Sequence, residues 1–240
     1  MHSSVKPSRQ PSSRPTTSQP SPKWHYFMHA THLKENIFNI LKSGEIRSCG
    51  YTNSEDFNPD DKEAYCKKAV YCHYIFDELP RLTTTFQWNY YDYIIVLRPE
   101  IARDFEMTIC NSVSHGQCTT QTENRILHTE GNLKRMPSLQ KIRDYIIGKI
   151  DSIKHNKRLI SDSYIYGHEV LFPSIPIEYI AAILIPARIK NTIKVRMPNG
   201  KKEEKQIYDV LNNYVEQLNL PIKIIKYSKS GDFHKYFEQI

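Results

Sequence analysis

The chain has no apolar run approaching the roughly 20 residues that a membrane-spanning helix needs; its longest extends only from Tyr179 to Pro186. No membrane span is expected. The N-terminus also lacks the apolar stretch of a secretory signal, so export by the general signal-peptide route is not expected either. Cysteine is scarce and odd in number: Cys49, Cys66, Cys72, Cys110 and Cys118 are widely spaced, with no CxxC pair. A chain of 240 residues folds without covalent staples, so these read as reduced thiols of a cytosol-like compartment. Cys110, His115 and Cys118 have a spacing that zinc could use, but a second close pair of ligands is missing and no metal is expected. The net charge of +7 comes from scattered rather than massed Lys and Arg. It permits an anionic ligand or nucleic acid without indicating one. Internal repeats and linker-like internal stretches are also lacking.

What is present suffices for a sizeable core: 39% hydrophobic residues, including 16 Tyr and 9 Phe, with an ordinary 25% charged. The first 22 residues are rich in Ser, Thr and Pro without apolar periodicity, so 1–22 is expected to be a disordered leader and 23–240 a single domain.

Trp24 to Met28 reads as a short strand, with Thr31 placed to cap the helix that follows. Leu33, Ile37, Ile40 and Leu41 recur at helical spacing, and Gly44 falls where a left-handed C-terminal cap is wanted. A polar loop over Ser48–Lys68 precedes a β-type run from Ala69 to Phe76. Tyr90 to Leu97 is the strongest buried-strand signal and predicts a central strand. Few apolar residues lie between Cys110 and Pro137, which predicts a loop or insertion. Leu139, Ile142, Ile146, Ile150 and Ile153 form a helical stripe behind Ser138 as N-cap. Strands follow at Glu169–Phe172 and Tyr179–Ile185, linked by Pro173-Ser174-Ile175-Pro176. Pro198-Asn199-Gly200 predicts a hairpin turn. A helix on Ile207, Val210, Leu211, Tyr214 and Leu218 and a strand at Ile222–Tyr227 complete the chain. Mixed elements without regular βαβ alternation predict an α+β fold with a largely antiparallel sheet.

Three short segments each set one polar residue on a strand: Tyr26-Phe27-Met28-His29-Ala30-Thr31, Ala69-Val70-Tyr71, and Gly167-His168-Glu169-Val170-Leu171-Phe172. Together with the helix Asn36-Ile37-Phe38-Asn39-Ile40-Leu41-Lys42-Ser43-Gly44, their order resembles the ADP-ribosyltransferase superfamily, and its His-Tyr-Glu branch more closely than its Arg-Ser-Glu branch. The resemblance covers most of the chain from Phe27 to Ile185. It implies an ADP-ribosyltransferase-like split sheet with flanking helices, NAD as co-substrate, and no metal.

The same resemblance implies the residue roles. Breaking the nicotinamide–ribose bond creates an oxocarbenium-like sugar, which a carboxylate stabilises more in the transition state than in the ground state. That role falls to Glu169; Glu123 and Glu178 lack a matching strand motif. Tyr71, with Tyr74 as second candidate, would stack on the nicotinamide ring, and His29, Ala30 and Thr31 would hold the dinucleotide through imidazole, backbone and hydroxyl groups. Ala30 stands where the family usually has Gly. Gly167 stands where arginine-directed members carry a second Gln or Glu, so arginine is disfavoured as acceptor. The implied activity is transfer of ADP-ribose from NAD to a macromolecule, expected to be a protein. Nucleic acid is the alternative, as in DNA-directed members of the toxin–antitoxin kind. An RNA 2′-phosphotransferase on the same fold and a non-catalytic nucleotide- or partner-binding module are the further alternatives. Leader and composition are compatible with a bacterial effector or toxin acting in a host cell.

Overall fold

The structure is a computed structural model that describes residues 23–31, 34–48, 69–77, 93–110, 125–128, 133–156, 168–187, 191–228 and 234–240. The expected leader, most of the Ser48–Lys68 loop, and Glu123, His115, Cys118 and Gly167 lie outside them.

Among the described residues an eight-stranded sheet is formed by β1 (His25–Thr31), β3 (Val70–Phe76), β4 (Tyr93–Leu97), β5 (Met107–Cys110), β6 (Arg125–His128), β7 (His168–Phe172), β9 (Ile180–Pro186) and β12 (Lys223–Tyr227). Their order across the sheet is β12-β9-β4-β1-β3-β7-β5-β6. Every pairing is antiparallel except β12 on β9. The α+β reading with a largely antiparallel sheet therefore holds. Every residue of β4 is buried, as its unbroken apolar run requires of a strand covered on both faces. Two smaller ladders pair β2 (Glu45–Arg47) with β8 (Ser174–Pro176) and β10 (Thr192–Arg196) with β11 (Lys202–Gln206).

Strand alternation sorts side chains between two cores. Phe27, Cys72, Tyr74, Ile95 and Val170 belong to the larger core, beneath α1 (Lys34–Ser43), α3 (Leu139–Asn156) and α4 (Ile207–Gln217). Met28, Ile75, Ile94 and Val96 belong to the other face, with Tyr236 and Phe237 of α5 (His234–Phe237). A one-turn helix, α2 (Ile101–Asp104), follows β4.

Helix boundaries follow local chemistry. Gly44 has φ +79° and its N–H bonds the Ile40 carbonyl at 3.0 Å, closing α1 as expected. Ser138 Oγ accepts from the Lys141 N–H at 3.3 Å at the start of α3, and Ile142, Ile146 and Ile150 join the larger core. The β10–β11 hairpin turns at Gly200, also at φ +79°.

Four expectations are corrected. The stretch from Cys110 to Pro137 contains β6, which pairs with β5 despite its weak apolar signal. Ser174–Pro176, read as a linker, is a strand because it has β2 as a partner far along the chain. Thr31 ends β1 rather than capping α1, which begins at Lys34; its Oγ1 accepts from Asn36 Nδ2 at 3.0 Å. In α4 the buried stripe is Ile207, Leu211 and Val215. Leu218 lies past the helix, 44% exposed, because Asn219 at φ 51° ends the helical course and the Leu220 N–H returns to the Val215 carbonyl.

Candidate functional site

The sheet opens where the first two motifs meet. The β1–β3 ladder runs from His25↔Phe76 to Met28↔His73 and ends there, while β1 continues on β4 as far as Thr31↔Tyr93. On the far side, β3 stays paired with β7 from Tyr74↔His168 to Val70↔Phe172. His29, Ala30 and Thr31 thus form one lip of an opening, and Val70 and Tyr71 form the other.

His29 spans that opening. Its Nδ1 lies 2.8 Å from the Tyr71 carbonyl oxygen. A carbonyl can only accept, so Nδ1 carries the proton and, in the neutral ring, Nε2 is an acceptor. The tautomer is set by a backbone group of the second motif. Ala30 is half-buried, and Thr31 is buried.

The third motif is brought up by strand pairing. Glu169 stands in register with His73, and through it with Met28, on the strand beside that of Tyr71, so its position falls on the Tyr71 face of the sheet and not on the His29 face. Two inter-strand spacings separate β7 from β1, roughly 10 Å. The segments after the first and third motifs are also tied together: β2 pairs with β8, and the Ile177 N–H bonds the Gly44 carbonyl at 2.9 Å. Local sequence thus delivers His29 to a strand end, while long-range pairing holds the strand of Glu169 nearby.

The tyrosines divide. Tyr74 is fully buried, packed against Phe27 and Phe76, with its hydroxyl 3.0 Å from His25 Nδ1. Burial pushes that phenol well above its usual range. A core ring cannot stack on a nicotinamide, so Tyr74 does not have the stacking role expected of it as second candidate. Tyr71 is half-buried, and alternation places it on the face of Ile75 and Met28, whereas His29 follows Phe27 onto the other face. The structure brings His29 to the backbone of Tyr71, not to its ring. Glu178 is exposed on the short 3-10 turn before β9.

His73 is a further polar residue beside these motifs. His73 is half-buried and lies in register with both Met28 and Glu169. The signal was available: positions 71 and 73 share a face in any strand that carries Tyr71.

Among the described residues no group of three or more His, Cys, Asp or Glu is arranged to hold a metal ion, and no helix is long and apolar enough to cross a membrane. No family model matches the chain, and no curated protein does. Among solved structures it is similar to Thermus sp. 2.9 DarT in complex with carba-NAD+, at 10% identity over 89% of this chain and 100% of that one, with a TM-score of 0.45. The same DarT in complex with NAD+ gives 10% identity, 86% and 97% coverage and a TM-score of 0.42. Thermosipho africanus DarTG in complex with ADP-ribose gives 10% identity and a TM-score of 0.43; the match covers 85% of this chain but spans only 50% of the DarTG chain.

Proposed function

We propose that the protein is an NAD-dependent ADP-ribosyltransferase that moves ADP-ribose from NAD to a macromolecular acceptor and releases nicotinamide. The observation that carries this reading is the opening between β1 and β3, with His29 fixed across it by the Tyr71 carbonyl and the Glu169 strand held alongside. A neutral His29 with Nε2 as acceptor suits a ribose hydroxyl as donor. The backbone of Ala30, at the same lip, serves the nicotinamide amide. Glu169 stabilises the positive charge that develops on the ribose as the glycosidic bond breaks, and accepts the proton of the attacking group. Protein is one acceptor class; the net positive charge of the β10–β11 hairpin favours a nucleic acid.

The test is incubation of the chain with labelled NAD, protein lysate and oligonucleotides, scored by label transfer and nicotinamide release. Glu169→Gln is expected to lower release by about 100-fold or more while NAD still raises the melting temperature. His29→Ala is expected to abolish most of that thermal shift. No release from the unaltered chain with any acceptor would sink the reading, and full activity in Glu169→Gln would remove the carboxylate from the chemistry.

A further inference from the structure

The β10–β11 hairpin stands apart from the main sheet as its own two-stranded ladder, and every residue of β11 is exposed. Between Thr192 and Gln206 it carries five cations, Lys194, Arg196, Lys201, Lys202 and Lys205, against Glu203 and Glu204. That is a net +3 (five minus two) out of the chain's +7. Among the described residues none of the five cations takes part in an ion pair. Arg196 and Lys202 are directly opposite in register. Like charges facing each other weaken a hairpin, so the arrangement costs the fold stability, and an anion between them would offset that cost.

The root of this arm is fixed at the rim of the candidate site. Tyr93, which pairs with Thr31, donates its hydroxyl to Asn191 Oδ1 at 2.7 Å. Asn191 Nδ2 donates to the Pro186 carbonyl at 3.1 Å, and Lys34 Nζ, at the start of α1, donates to the Thr192 carbonyl at 2.7 Å. From Thr192 the strand carries Arg196 outward by four residue rises, about 13 Å. A cavity of about 260 Å³ at the root includes Tyr208 and Lys226, whose ammonium sits 4.2 Å from the Tyr208 ring centroid.

We propose that the β10–β11 arm is a docking surface for the phosphate backbone of a single-stranded nucleic acid, which it holds beside the opening between β1 and β3. Glu204 stands opposite Lys194, so the net positive charge gathers at the tip in Arg196, Lys201 and Lys202; cations at the end of a narrow ribbon complement a linear polyanion, while the glutamates behind them oppose a broad acidic surface. Docking rests on the arm alone; its use in delivering an acceptor rests on the transferase reading above.

The test measures binding of a short labelled single-stranded DNA to the full chain across a salt series. Replacing Arg196→Thr and Lys202→Thr together removes the facing charges and supplies good strand formers, so the arm remains folded. If each cation meets one phosphate, the slope of log affinity against log salt becomes shallower by about 1.4, with weaker binding at low salt. Unchanged affinity and slope would overturn the assignment, as would absence of binding by the unaltered chain. Displacement by polyglutamate as readily as by unlabelled DNA would overturn it in favour of an acidic protein partner. NAD-induced thermal stabilisation of the same samples reports the cleft separately: its absence removes the transferase reading and leaves the DNA titration to decide the arm.

Discussion

His25 is 5% exposed, and its Nδ1 lies 3.0 Å from the hydroxyl of Tyr74. Burial first, and the nearby Arg143 guanidinium second, lower its pKa from 6.5 to about 4. A histidine that stays neutral in the fold but protonates in the unfolded chain gives stability that is present above pH 6.5 and lost as pH falls toward 4. The loss reaches about 3 kcal/mol for a shift of this size. Urea unfolding between pH 7 and pH 4 is therefore expected to show a decline from this residue. His25→Phe combined with Tyr74→Phe removes both polar partners and should flatten that part of the profile. An undiminished slope in the double variant would place the titration elsewhere. The same contact keeps Tyr74 from stacking on a ligand. Tyr71 and Tyr74 are an odd number of positions apart, so a strand must send them to opposite faces, and only one could face a ligand.

At the scale of elements, legibility depended on whether the signal was local. The stripe of α3, its Ser138 cap and the run of β4 are written in consecutive residues, and each formed where expected. β2, β5, β6 and β8 escape a sequence reading because three- and four-residue strands carry too little periodicity, and their existence is decided by the strand they pair with. The site divides in the same way. His29 at the end of β1 could be read locally, but the Tyr71 carbonyl that fixes its tautomer, and the partnership of His73 with Glu169, arise only from strand register. Gly44 offers a clean element-scale test. A Cβ there would meet nothing within 4 Å, so Gly44→Ala is penalised only through the backbone at φ +79°. The expected loss is about 1–2 kcal/mol, read by chemical denaturation. Because the Gly44 carbonyl also receives the Ile177 N–H, strain there should weaken the tie between α1 and the segment after β7, and with it NAD stabilisation. A variant as stable as the parent would show that the cap is not needed.

For the whole molecule, the sheet acts as a partition between two cores. Ile95 and Leu97 join the larger one, Ile94 and Val96 the smaller, from a single strand buried on both faces. The site sits at the edge of this partition, where β1 keeps its β4 partner and gives up β3. The opening can therefore exist without loosening the centre, since β4 is held on its other side by β9. Two cores separated by a sheet should respond independently to packing defects. Ile94→Val and Ile95→Val are each expected to cost about 1 kcal/mol. Although adjacent in sequence, they contact different clusters, so the double variant should equal their sum within about 0.5 kcal/mol. A larger coupling, measured by urea unfolding of the four-member cycle, would mean that β4 shifts as a body when either side is thinned. In that case defects in either core should also move His29 and reduce NAD stabilisation. Additive variants should leave that stabilisation unchanged.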